Sequence, residues 1–341
     1  MPSLRALPLL LVALLGVTAC SKADPGESKP SITAAPEVTV KGIDTSTLTP
    51  RERREWSAEL TELLAPCPEV PVSIAQCIQE SRPCKSCIPA AQLLLKQVQA
   101  GKPKKDREEA FHARFDVNKI KTIPTDGAPE FGAPDAVVTI VEWADFECPF
   151  CRLVSPVLDD LVKHFPGQVR LLYKFYPLGA HAHGEIAARA GVAAQNQGKF
   201  WEMHHLMFEN QEHLEQADLD RYAKQIGLDL PKFRADLVAK ETGERLEKEK
   251  KQADEVGLEG TPFIFINGRY VDLQLVTNPY EDLIDWVKLD IELAGKVPKI
   301  APSPSASAGS ALKALAAPSA SAAPAASAAP AASAGKPGKK E

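Results

Sequence analysis

Ala136-Val-Val-Thr-Ile-Val-Glu-Trp-Ala-Asp-Phe-Glu-Cys-Pro-Phe-Cys151 is the stretch that decides the fold. Its first half, Ala136 to Trp143, is an apolar run of strand length. Cys148 and Cys151 then open a helix whose apolar residues Val154, Leu158, Leu161 and Val162 share one face. A cysteine at a helix start lies among backbone N–H groups that have no intrahelical partner, at the positive end of the helix dipole. Both favour thiolate over thiol. The second cysteine, one turn further on, is within reach to close a disulfide ring or to resolve a mixed disulfide. A structural zinc site is a competing use of this spacing, but it needs four ligands, and no second pair lies nearby in the sequence. A static disulfide is the other alternative.

Towards the C-terminus, Val169 to Tyr176 reads as a second strand stopped by Pro177. A long helical region follows over about 182–257, punctuated by Gly198, Gly227, Pro231 and Gly243. Pro262-Phe-Ile-Phe-Ile266, the turn Asn267-Gly268 and Arg269 to Asp272 then predict a hairpin, because Asn-Gly suits a type I′ turn. A helix over Tyr280 to Leu293 closes the pattern. The order βαβ, helices, ββα predicts an α/β fold, one sheet with a helical insertion.

Towards the N-terminus, Thr49, Pro50 and Glu52 form a capping-box pattern ahead of Trp56, Leu60, Leu63 and Leu64, which are expected on one helix face. A second helix is expected over Ala90 to Val98. Residues 49–101 therefore read as a small cysteine-rich helical module, and 102–123 as a charged connector. The module's Cys67, Cys77, Cys84 and Cys87 allow three pairings. They could form two structural disulfides, hold a second redox pair at Cys84-Lys-Ser-Cys87 with Lys85 favouring the thiolate, or bind zinc.

Residues 1–19 carry Arg5, an apolar run from Ala6 to Val17 and small residues ahead of Cys20. That is the pattern of a signal peptide, too short to be a transmembrane helix. Its end resembles a bacterial lipobox, which makes Cys20 the lipidated first residue of the mature chain, with Ser21 suggesting outer-membrane sorting. Residues 20–48 read as a flexible tether and 299–341, nearly all Ala, Ser and Pro, as a disordered tail. Export implies an oxidising compartment, and six cysteines besides Cys20 can all pair. A net charge of -5 gives no electrostatic support to nucleic-acid binding.

Four motifs in order carry a family likeness: Asp145 to Cys151, Tyr173-Lys-Phe-Tyr-Pro-Leu178, Gln197-Gly-Lys-Phe-Trp201 and Gly260-Thr-Pro-Phe263. Over residues 124–298 the chain resembles the DsbA-like thiol-disulfide oxidoreductases. The resemblance implies a thioredoxin-like fold with a helical domain, about 179–257, inserted between its βαβ and ββα halves. It also implies Cys148 as the exposed attacking cysteine, Cys151 as the buried resolving one, and Pro262 as a cis-proline. Thr261, Pro262 and Phe150 would meet substrate. Glu142 would be a buried acid passing protons to Cys151, while Asp145 and Glu147 are expected to face solvent, as are His181 and His183. Phe150 stands where strongly oxidising members carry histidine, so oxidising strength is left open. The implied activity is disulfide formation or exchange in exported proteins on the periplasmic side of the cell envelope, with no metal or organic cofactor. Its partners would be cysteine-bearing exported proteins, an unidentified redox partner, and the membrane through the lipid anchor. A reductase and a non-catalytic peptide-binding scaffold are the alternatives.

Overall fold

The computed structural model describes residues 37–301. Cys20, the leader and most of the tether, and the tail from residue 302 onwards lie outside the described residues. The first helix, α1 (Pro50–Glu62), starts at Thr49, where the Thr49 hydroxyl accepts from the Glu52 N–H and the Glu52 carboxylate accepts from the Thr49 N–H at 2.7 Å. Trp56 and Leu60 are buried against Ala91, Leu94, Leu95 and Val98 of α3 (Cys87–Gln99), and the Trp56 indole donates to the Ala91 carbonyl at 2.9 Å. Leu64 falls outside this face. The helix ends at Glu62, and Leu64 is 63% exposed, forming an isolated bridge with Ser73 ahead of α2 (Ile74–Gln79).

Two disulfides, Cys67–Cys84 and Cys77–Cys87, brace this small core. Cys84 and Cys87 are thus not bonded to each other, and each of these sulfurs is bonded to a different partner. The sulfurs of Cys77, Cys84 and Cys87 lie within 4.8 Å of one another because both bridges share one buried cluster with Ala65 and Val70. Covalent closure of loops compensates where little apolar area is available to hold a segment.

The charged connector forms α4 (Lys104–Phe115). Beyond it lies a five-stranded sheet in the order β1-β3-β2-β4-β5, made of β1 (Glu130–Gly132), β2 (Val138–Ala144), β3 (Val169–Phe175), β4 (Phe263–Ile266) and β5 (Arg269–Tyr270). Only β2 and β3 pair in parallel. The crossover between them is α5 (Pro149–His164). On one face of β2, Val138 and Ile140 pack with Val154, Leu158 and Leu161 of α5 and with Leu283 and Val287 of α11 (Pro279–Leu293). The other face, with Val141 and Trp143, is covered by Ala253 and Val256 at the end of α10 (Lys240–Glu255). A strand buried on both faces reads as a continuous apolar run, as β2 does.

Between β3 and β4 come α6 (Gly184–Gln195), α7 (Phe200–Glu209), α8 (Gln216–Gln225), α9 (Leu230–Val238) and α10, which form the helical insertion. β1 was not foreseen in the sequence, since three residues beside Pro129 carry no periodic signal. Its Gly132 has φ +110°, and a Cβ there would lie 2.5 Å from the Val169 carbonyl. In the hairpin, Asn267 and Gly268 both have positive φ, as a type I′ turn requires.

The module and its connector are fastened to the sheet domain through polar contacts, of which Arg114–Asp290 is buried. Arg114 of α4 pairs with Asp290 of α11 at 2.6 Å and lies over the Trp286 ring at 4.6 Å. Gln97 donates to the Leu275 carbonyl at 2.6 Å, and the N–H of Lys121 donates to the Gly268 carbonyl at 2.8 Å. Replacing Cys77 and Cys87 together by alanine is expected to cost about 2–4 kcal/mol of stability, read as a lower urea midpoint under oxidising conditions. An unchanged midpoint would show that the bridge does not hold the module.

Candidate active site

Cys148 is the N-cap of α5, with Pro149 as the first helical residue, so the chain leaves β2 and turns into the helix at the sulfur itself. The opposite wall is the loop ahead of β4. The Thr261–Pro262 peptide is cis, and the Cys148 thiol donates to the Thr261 carbonyl at 3.4 Å. Cys148, Cys151, Glu142, Thr261 and Pro262, named from distant parts of the sequence, are brought together here. Phe150 is 51% exposed on the first turn of α5. Cys148 is not the exposed residue the resemblance implied. It is 3% exposed, because the 261–263 loop and the helical insertion close over it, while Cys151 beneath it is fully buried.

The two sulfurs, both free thiols, are placed unequally. A hydrogen bond from the Cys151 thiol, helped by the Thr261 side chain and the N–H groups of Cys151 and Phe150, outweighs burial and brings Cys148 down to about 6. The Thr261 hydroxyl, which has no other partner, is available to the thiolate. Burial, reinforced by Cys148 and then Glu142, holds the Cys151 thiol well above its ordinary value. Glu142 lies on β2 in register with Tyr173 of β3, fully buried, with no hydrogen bond to either carboxylate oxygen. Burial, followed by the charges of Asp159 and Cys148, raises it to about 8.

Asp145 and Glu147 depart from the solvent-facing positions expected of them. Asp145 is 2% exposed, and its carboxylate accepts from the Glu147 and Leu178 N–H groups and meets His181 Nδ1 at 2.7 Å. Glu147, half-buried, accepts from the His183 N–H at 2.5 Å, with the His183 ring 3.2 Å away. The two histidines thus tie the start of α6 to the cysteine loop instead of standing free in solvent. Gly184 leaves room for this, since a Cβ there would lie 2.9 Å from Asp145. Gln211, which no sequence pattern singles out, donates from the helical insertion to the carbonyls of both Phe146 and Cys148 at 2.8 Å. Its position in a loop between α7 and α8 carries no periodic or motif signal.

With this geometry, comparison with known proteins becomes informative. A family model described as thioredoxin matches residues 125–286. Among curated proteins, the chain is 41% identical over 139 residues to the Na(+)/H(+) antiporter NhaA 3 of Salinispora tropica, covering 40% of this chain and 21% of that protein. It is also 40% identical over 141 residues to an antiporter NhaA 1 of Mycolicibacterium gilvum, covering 40% of this chain and 23% of that protein. The chain thus spans about a fifth of the length of these relatives. Among the described residues, no helix is long and apolar enough to cross a membrane. Similar solved structures include a thioredoxin-like oxidoreductase from Silicibacter pomeroyi, at 29% identity and TM-score 0.44, covering 49% of this chain and 94% of that one. BdbD from Bacillus subtilis matches at 21% identity and TM-score 0.46, covering 51% and 97% respectively. The sheet order, the helical insertion and the family match together make this a thioredoxin-like fold.

Two outcomes follow from the ionisation pattern. Alkylation of reduced Cys148 by iodoacetamide should be near its plateau at pH 7 and fall to half near pH 6, with Cys151 unreactive throughout; a midpoint near 9 would contradict the placement. Glu142, raised in the folded state, contributes stability that is whole below its ordinary value near 4.5 and is lost as pH rises towards about 8. Urea unfolding at stepped pH should show this decline in the native chain and a shallower one in Glu142→Gln.

Proposed function

We propose that the protein, which matches a thioredoxin family model over residues 125–286, is a thiol-disulfide oxidoreductase that forms or exchanges disulfides in exported proteins through Cys148 and Cys151. The observation that carries this reading is the inequality of the two sulfurs: one ionised near neutrality at a helix start, the other protonated and sealed beneath it. In the oxidised pair a substrate thiolate attacks Cys148 Sγ, the Cys148–Cys151 bond breaks, and Cys151 leaves with the electron pair and takes up a proton. A second substrate thiolate then attacks the substrate sulfur of the mixed disulfide, releasing the product disulfide and the Cys148 thiolate. Two substrate thiols are oxidised and the pair is reduced by two electrons, which a redox partner must remove. No metal or organic cofactor enters these steps.

Glu142, protonated below about pH 8 and buried near Cys151, supplies the proton that the leaving thiolate takes. The Thr261 main chain, beside Cys148, holds an extended substrate segment. Stabilising the Cys148 thiolate favours the reduced pair, and so the acceptance of electrons. A Cys148 thiol brought down to about 6 supports that direction. The lipobox-like end of the leader at Cys20 supports a lipid-anchored envelope protein on the periplasmic side, with outer-membrane sorting.

The test is a trap. Cys151→Ser, expressed with its leader, should accumulate mixed disulfides with envelope proteins that dithiothreitol releases. These should vanish when Cys148 is also changed to Ser. A Cys151→Ser protein that carries no adducts would leave the pair without an exchange role.

A further inference from the structure

Beside the reacting sulfur, the loop carrying Thr261 and Pro262 does not end at a flat surface. It opens into a groove of about 1040 Å³ whose other wall is α4 of the connector, with Glu109, His112 and Asp116. Resting on the exchange reading, we infer that this groove seats the substrate polypeptide on one side of its cysteine and favours a lysine or arginine there. The floor is aromatic: Phe263 follows Pro262, and its ring lies 4.7 Å from that of Tyr270, which is 38% exposed. Glu259 and Asp272 flank Tyr270, and their charges, after burial, help push its phenol up to about 12. An exposed ring face between two carboxylates attracts a cationic side chain both as a π-face and as a counter-charge.

Three observations commit the groove to a peptide of that kind. It is continuous with the Thr261 carbonyl, which stands 3.4 Å from Cys148 Sγ, so a chain bonded to that sulfur is led into it. Its volume exceeds that of an ordinary small-ligand pocket, which suits a stretch of polypeptide. Its charged lining has four carboxylates, on Glu109, Asp116, Glu259 and Asp272, of which Glu109 meets Lys105 at 3.7 Å and Asp116 accepts from the Asn118 N–H, against the ammonium groups of Lys119 and Lys121, the latter engaged by the Val256 carbonyl.

The C-terminal end of this wall is held to the sheet domain by Arg114–Asp290 and by the bond from Arg269 to the Asp116 carbonyl at 2.6 Å. The disulfide-braced module supports this wall from behind, since Phe111 and Phe115 of α4 pack with its Trp56, Leu60 and Leu94, and a wall already in place lowers the ordering cost of binding.

The test measures exchange rates of the oxidised full-length protein with two matched cysteine peptides at low salt. One carries lysine and the other glutamate at the second residue on each side of the cysteine. The lysine peptide should react about fivefold faster. That ratio should shrink towards one in Glu259→Gln/Asp272→Asn, and partly in Glu109→Gln on the α4 wall. Comparing variants holds the peptides' own thiol chemistry constant. A ratio near one in the native protein, or a ratio that survives both variants, overturns the inference while leaving exchange intact. No reaction with either peptide or with dithiothreitol would instead sink the exchange reading itself.

Discussion

Everything chemical in this molecule depends on the start of α5, where Cys148 exchanges a strand conformation for a helical one. There the helix amides and the Cys151 thiol stabilise a negative sulfur that burial would otherwise keep protonated. Three residues later the same helix carries Cys151 into a site where burial outweighs the backbone hydrogen bond at Asp145 that would favour a charge. The sulfurs lie within one turn of the chain, yet their environments push ionisation in opposite directions. Separated acidities of this kind suit the first sulfur to attack and the second to resolve in the exchange proposed above.

The polar groups behind the pair reinforce that asymmetry at a cost in stability. Glu142 is buried without a hydrogen-bond partner, and Tyr173 beside it on β3 has a buried hydroxyl in the same condition. Burial of this kind is unfavourable unless the group is neutral, which is the state the raised Glu142 adopts. The loop in front is treated differently. Asp145, Glu147 and Gln211 satisfy backbone N–H and carbonyl groups on both sides of the cysteines, so the cysteine loop is fixed by contacts with α6 and the α7–α8 loop.

The N-terminal module follows another logic. Its own core is small, and two disulfides hold it, but its contacts with α11 and the 272–276 loop are specific and partly buried. Breaking a buried pair such as Arg114–Asp290 leaves a charge without its partner, so the module and the sheet domain are energetically joined rather than loosely tethered.

The sequence alone determined the features that rest on neighbours along the chain. Thr49 and Glu52 start a helix, Asn267-Gly268 turns a hairpin, the apolar run before Cys148 makes a central strand, and the order of these elements gives the class of fold. Each follows from a local rule, a cap, a positive φ or a periodicity, that operates over a few residues. Tertiary structure alone decided which cysteines pair among four candidates and that Asp145 and Glu147 turn inwards to His181 and His183. It also placed Gln211 over the cysteine loop, and closed Cys148 to 3% exposure under a segment more than a hundred residues away. Burial, ionisation and pairing depend on what the rest of the chain brings alongside, and no local spacing carries that information.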